Sequence, residues 1–344
     1  MLYIFLNYYN NGVLQVRIFN VMFGKELGGI EQAFLDYSQA LSEQGHQVIS
    51  VVQPDAAITQ SLSLLNVMVK RFGNISQWDP FATSKLNNLV FSVHQPDVII
   101  THGNRATKLM KKAANGKIPV VAVTHNYNIK DVKGLTSILA ITDDLYRFVL
   151  SKGVSKDKIY KIPNMIDVSK YQDSKKPNNN VPVIGTMGRF VKKKGFDVFL
   201  TALSILKKEG VNFNAVIGGS GPEEENLNML CQKLELTDRV EFTGWVTNKS
   251  QFFDNIDLFC LPSISEPFGI ILLEAFVNNV PVVSSASEGP SEIIKHGQDG
   301  LLFDVGVPEA LAIGIKKILD NKKDAEDYAS NARQKVTDLY SMKK

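Results

Sequence analysis

Short runs of apolar, largely β-branched residues recur along this chain, and longer amphipathic stretches separate them. QVRIFNVMF (15–23), QVISVV (47–52), PDVIITH (96–102), PVVAVTH (119–125) and SILAIT (137–142) form one series. After a polar interruption a second series follows: VPVIGTMG (181–188), FNAVIGGSG (213–221), RVEFTG (239–244), DLFCLPS (257–263), VPVVSS (280–285) and GLLFD (300–304). Strands apolar on both faces, alternating with helical patterns such as GGIEQAFLDYSQALSEQG (28–45), require a parallel sheet covered by helices on each side. Gly45 stops that first helix. The interruption, YQDSKKPNNNVP, has two prolines and three consecutive asparagines and reads as a linker. The expectation is an α/β chain of two doubly wound, Rossmann-like domains with an inter-domain cleft. The boundaries are 1–170 for the first domain, 171–181 for the linker and 182–344 for the second. Residues 1–14 precede the first convincing strand and read as a small strand or arm, or as a misassigned start.

In such sheets ligands bind at the carboxyl ends of the strands, so the loops leaving each strand are where chemistry belongs. SEPFGIILLEAF (265–276) leaves DLFCLPS. Pro267 keeps Glu266 in the loop, and the helix starts near Gly269. Glu274 falls inside the helix, with Ile270, Ile271, Val277 and Asn278 as its same-face neighbours. A carboxylate there is costly unless a partner donates to it. Either the helix dipole favours it, or a ligand diol such as a ribose satisfies it. The amides of Phe268, Gly269 and Ile270, at the helix start, suit oxygens of a sugar or phosphate.

MGRFVKKKGFD (187–197) places Arg189 and Lys194 around a glycine-bounded loop, a pair of cations suited to a diphosphate, or simply a solvated basic loop. GKELGGIEQ (24–32) offers Gly28 and Gly29 for close backbone approach to a phosphate. It is not G-x-G-x-x-G, which disfavours dinucleotide binding there. His125 ends a strand in VAVTHNYN (121–128). IGGSGPEEENL (217–227) adds Gly219 at another strand end, and Glu292 lies near a helix start in SEGPSEII (287–294). No H-E-x-x-H, Cys/His cluster or G-x-S-x-G is present, and nothing calls for a metal or another cofactor.

Taken in order, GRFVKKKG, GGSGPEEENL, VEFTGWV, LPSISEPFGIILLEAF and SEGPSEIIKHGQDGLLF resemble the retaining glycosyltransferases of family 4, which have the GT-B fold. IPNMIDVSKY (162–171) resembles that family's inter-domain passage. The resemblance runs from about residue 16 to the end and is strongest over 160–305. It implies transfer of a hexosyl group from a nucleotide diphosphate sugar to a glycan or lipid-linked acceptor, with retention and without a metal. By position, it assigns Glu266 to hydroxyls of the donor sugar and Glu274 to the ribose. Arg189 and Lys194 fall on the pyrophosphate, which Gly29 approaches; Gly28 beside it and Gly219 in its strand-end loop are read as close backbone contacts with the donor. His125 falls near the reacting sugar, and the Phe268–Ile270 backbone steadies it. A front-face displacement needs no protein nucleophile, and none is found. The family's long final helix crosses back onto the first domain, and DLYSMKK stands where that crossing would start, which implies weaker support between domains or a shortened helix. Lys192, Lys193 and Lys194 stand where an acidic residue is common.

A non-catalytic nucleotide-sugar-binding module and a nucleotide-sugar epimerase on the same fold remain as alternatives. Net charge is +3, too small for a nucleic-acid binder. Residues 1–170 hold 18 Lys/Arg against 12 Asp/Glu, and the remainder 20 against 23. The basic first half, with KLMKKAANGK (108–117), suits an anionic acceptor or peripheral contact with an anionic membrane, or is a solvated helix face. The expectation is a cytoplasmic protein, peripheral at most, acting in lipopolysaccharide or other cell-envelope polysaccharide synthesis. Cys231 and Cys260 have no metal or redox spacing and read as reduced core residues.

Overall fold

The computed structural model describes residues 15–73, 80–171 and 179–342. The 1–14 segment and most of the 171–181 linker lie outside these residues. The chain divides into two compact units at Met165/Ile166.

In the first unit, β1 (Arg17–Met22), β2 (Gln47–Val52), β3 (Met68–Arg71), β4 (Val98–His102), β5 (Val120–Thr124), β6 (Ser137–Ala140) and β7 (Ile159–Lys161) form one sheet, ordered β3-β2-β1-β4-β5-β6-β7. Every pairing is parallel. β4, β5 and β6 are buried along their whole length, which is why their sequences carry no polar alternation. The order reverses between β1 and β4, where Met22 pairs with His102.

The second unit repeats the plan. β8 (Val183–Met187), β9 (Asn214–Gly218), β10 (Val240–Gly244), β11 (Leu258–Leu261), β12 (Val282–Ser285) and β13 (Leu301–Phe303) are ordered β10-β9-β8-β11-β12-β13, again all parallel. Its core is built on Phe199, Leu203, Phe213, Ile217 and Leu258. The reversal lies between β8 and β11, so the loops after these two strands open side by side at the switch point.

The 18-residue helix Lys322–Leu339 is capped by Asn321, whose side chain accepts from the Asp324 amide. Lys335 on this helix pairs with the buried Asp299 and donates to the Ile293 carbonyl at 2.9 Å. Beyond it, the Ile166 amide donates to the Tyr340 carbonyl at 2.8 Å and the Met342 amide to the Ile166 carbonyl at 3.2 Å. The last described segment is thereby stitched to the first residue of its own unit.

Candidate active site

The loop after β8 is held from within. Phe190 is 1% exposed and its ring meets Phe196 at 5.1 Å and Phe242 at 6.2 Å, burial worth about 2–3 kcal/mol. Its neighbour Arg189 is exposed. The loop is laced to the one after β9: Gly188 N donates to Gly218 O at 2.9 Å, Phe190 N to Ser220 O at 2.8 Å, and Glu223 N to Phe190 O at 3.0 Å. Gly219 sits in this seam with φ +138, and a Cβ on it would lie 1.9 Å from the Gly188 carbonyl oxygen. Gly219 therefore permits the two loops to touch backbone to backbone.

A 3-10 turn, Lys192–Lys194, ends at Gly195 in the left-handed region (φ +67), and a Cβ there would lie 2.0 Å from the Pro262 carbonyl oxygen. The Ile264 and Ser265 amides donate to the Lys193 carbonyl at 2.8 and 3.3 Å. The loops after β8 and β11 are thus joined where Lys194 and Glu266 reside. Lys194 forms an ion pair with the buried Glu266. The Ser263 hydroxyl lies 3.4 Å from the same carboxylate oxygen.

Glu288 holds the Glu266 loop from the other side. It accepts from the Glu266 amide at 2.9 Å and from the Ser265 hydroxyl at 3.1 Å, and the Gly289 amide donates to the Glu266 carbonyl at 2.8 Å. The sequence singled out Glu292 on this helix (Glu288–Ile293); the residue that touches the loop through these bonds is Glu288, one turn earlier.

The helix Ile270–Val277 begins directly after Gly269, near the expected position. Phe268 is buried, with its ring 6.1 Å from that of Tyr340. Glu274 is 4% exposed. Lys249 donates to its Oε1 at 2.6 Å, whereas Oε2 is buried and has no hydrogen-bond partner. Lys249 was not foreseen from sequence: it lies 25 residues away, just beyond β10.

In the first unit, Gly29 opens the helix Gly29–Glu43 and Gly28 precedes it in extended conformation. The side chain nearest this glycine loop is a carboxylate. A Cβ on Gly24 would meet Glu31 Oε1 at 2.4 Å, and one on Gly28 would meet Oε2 at 3.1 Å. Burial pushes the Glu31 carboxyl above its usual range, and Glu26 adds to this. His125 follows β5, and its Nε2 lies 3.0 Å from Nδ1 of His102, at the end of β4. Phe34 and Tyr37 set their ring edges against His102, 5.5 and 5.1 Å away. Burial holds His102 well below the usual histidine range and His125 down to about 4, so both are neutral at pH 7. His102 Nε2 and the Tyr37 hydroxyl are buried without a partner. Beside His125, a concavity is lined by Gly103, Asn104, Asn126, Asn128 and Lys130. Asn104 shapes it, donating to the Asn128 carbonyl and accepting from the Lys130 amide at 3.0 Å.

The second unit therefore gathers Arg189, Lys194, Gly219, Glu266, Phe268, Gly269, Ile270 and Glu274 on the strand-end loops of one sheet and the helix that follows one of them. Gly28, Gly29 and His125 occupy the equivalent edge of the first sheet.

Two parallel-sheet units of this kind define the GT-B class of glycosyltransferase fold. Residues 27–170 match the family described as Glycosyltransferase Family 4, and residues 167–335 match Glycosyl transferases group 1. The chain belongs to this glycosyltransferase family. It is 29% identical over 335 residues to the lipopolysaccharide core biosynthesis glycosyltransferase LpsD of Rhizobium meliloti (strain 1021), spanning 95% of each chain. To LpsE of the same organism it is 27% identical over 340 residues, 94% of this chain and 98% of that one. Among solved structures, Anabaena Alr3699/HepE in complex with UDP and glucose is similar at TM-score 0.84 and 20% identity, over 95% of this chain and 96% of that one. Among the described residues no helix is long and apolar enough to cross a membrane.

Proposed function

We propose that this chain is a retaining, metal-independent hexosyltransferase that takes a nucleotide diphosphate sugar as donor. Its acceptor is a glycan or lipid-linked sugar of the cell envelope, in lipopolysaccharide or related polysaccharide synthesis. The observation that carries the donor half is Glu274, a buried carboxylate whose Oε2 lacks a donor on the helix that leaves the switch point. A buried acceptor without a partner is costly in the free protein and is satisfied by a ligand hydroxyl. On the loop after β8, Arg189 and Lys194 supply the positive charge that a departing diphosphate needs, and the Phe268–Ile270 amides face sugar oxygens. Glu266 accepts from hydroxyls of the transferred sugar.

In this reading the protein contributes orientation and electrostatics rather than a covalent nucleophile. The neutral His125 and the concavity beside it serve the reacting sugar and the acceptor. The envelope assignment follows from the names of LpsD and LpsE. A cytoplasmic location with peripheral contact on anionic lipid, through the basic first unit, fits a lipid-linked acceptor.

The test is a binding and slow-hydrolysis screen of the purified protein with EDTA present, against UDP-, GDP- and ADP-sugars. One donor standing out, with its hydrolysis lost in Glu266→Ala, supports the reading. Binding without turnover, even with acceptor glycans supplied, points to a non-catalytic module. Interconversion of the free donor to its epimer points to an epimerase.

A further inference from the structure

Lys249 is a residue that neither the motifs nor the roles assigned above account for. It opens the short helix Lys249–Asp254, just past β10, and Asn248 fixes that helix start by accepting from the Gln251 amide at 3.1 Å. Its ammonium reaches Glu274 Oε1 at 2.6 Å. The two ends of this pair differ sharply in exposure, 39% for the lysine side chain and 5% for the glutamate. The lysine is thus held at the rim while the carboxylate lies beneath.

Two consequences follow from elementary electrostatics. A carboxylate that is 5% exposed, on a helix whose residues Leu272 to Val277 are all buried, is destabilised without a counter-charge, and Lys249 provides one. The pairing also makes the two carboxylate oxygens unequal. Oε1 is occupied by a charged donor, whereas Oε2 is buried and has none.

We propose that Lys249 is the positioning residue for nucleotide recognition. By occupying Oε1 it orients the Glu274 carboxylate and leaves Oε2 as the acceptor offered to a ribose hydroxyl. The inference rests on the donor reading above and adds to it the residue that sets ribose selectivity. A cation in this place does not itself read the sugar; it fixes the atom that does.

The test uses the full chain and calorimetric titration with UDP, GDP and ADP, then with the 2′-deoxy and 3′-deoxy forms of whichever binds tightest. The wild type is expected to favour the ribonucleotide over the more weakened deoxy form by about tenfold or more, as for a hydrogen bond to a charged group. In Lys249→Met that ratio is expected to collapse to about threefold or less, and Lys249→Arg is expected to keep it, since the charge-assisted contact survives. Lys249→Gln serves if the methionine variant does not fold. A purely structural lysine would lower the melting temperature and leave the ratio intact, and that result overturns the proposal. Equal weakening of ribo and deoxy ligands in the variant also overturns it, because Lys249 would then act on some other part of the nucleotide. If the wild type binds none of the three nucleotides, the donor reading itself falls and takes this inference with it, an outcome visible before any variant is made.

Discussion

Lys194 and Glu266, 72 residues apart, form an ion pair across the loops that leave two neighbouring strands, β8 and β11. The cation assigned to the diphosphate and the carboxylate assigned to the sugar therefore hold each other before any donor arrives. Removing one partner strands the other in a poorly hydrated place. Glu266→Gln and Lys194→Met are each expected to lower unfolding free energy by about 1–3 kcal/mol. The double variant should recover part of this loss, while transfer stays at least about 100-fold down in all three, as for the loss of a transition-state contact. Urea titrations set beside initial rates read both quantities. A double variant with activity near wild type would remove both residues from the chemistry.

Glu274→Ala deletes the orphan Oε2 together with the partner of Lys249. Nucleotide affinity is expected to fall by about 1–3 kcal/mol, the range for a charge-assisted hydrogen bond. A folded variant with unchanged affinity would defeat the ribose role.

The neutral His102–His125 pair ties stability to pH. Both imidazoles are depressed by burial, His125 to about 4, against 6.5 for the ordinary side chain. Between these values the unfolded chain binds more protons than the folded one. The contribution is complete above pH 6.5 and is lost as pH falls towards 4, at up to about 1.4 kcal/mol per pH unit for each histidine. His46 and His94 are shifted the same way, so the informative quantity is a difference. Urea midpoints between pH 4.5 and 7 should fall less steeply in a His102→Gln, His125→Gln variant than in the wild type.

Gly195→Ala sets a methyl group 2.0 Å from the Pro262 carbonyl oxygen in a residue with φ +67. The expected cost is above about 2 kcal/mol, with loss of transfer because Lys194 must move. Gly45→Ala is the control: φ is +86 and no atom lies within 4 Å, so about 1–2 kcal/mol of backbone strain is all it should cost. Thermal unfolding of the two variants separates collision from strain.

Lys335→Met breaks the pair with Asp299, which is 5% exposed at its side chain. Asp299 keeps the Lys295 amide at 2.7 Å but loses its counter-charge. The expected destabilisation is about 2–4 kcal/mol by chemical denaturation. Nucleotide affinity should be unchanged.

Eleven of the strands were legible, ten of them because burial leaves a largely apolar run; β10, an edge strand with no buried residue, alternates Val240 and Phe242 with polar residues. β3 and β7 were not. They are edge strands of four and three residues, MVKR and IYK, half exposed, and their composition resembles that of a loop. At the site, Glu266 and Glu274 stood out as carboxylates in apolar surroundings, and Lys194 as a cation in a glycine-bounded loop. Their partners were hidden by distance along the chain. Glu288 lies 22 residues from the amide it binds, His102 lies 23 from His125, and Lys249 lies 25 from Glu274. Each sits in a stretch where a charged or polar residue is unremarkable, and only the folded sheet with its packed helices brings it alongside its partner.

The backbone of Glu266 is fastened at both polar groups, its amide by the Glu288 carboxylate and its carbonyl by the Gly289 amide. This limits how such a site can be transplanted or remodelled. Grafting SEPFG alone onto another scaffold would carry the side chains without the clamps that aim them. The smallest portable piece comprises the 193–195 turn, the 263–269 loop and residues 285–289. Conversely, residues at the rim of that frame can be exchanged to seek a different sugar while the carboxylate keeps its place.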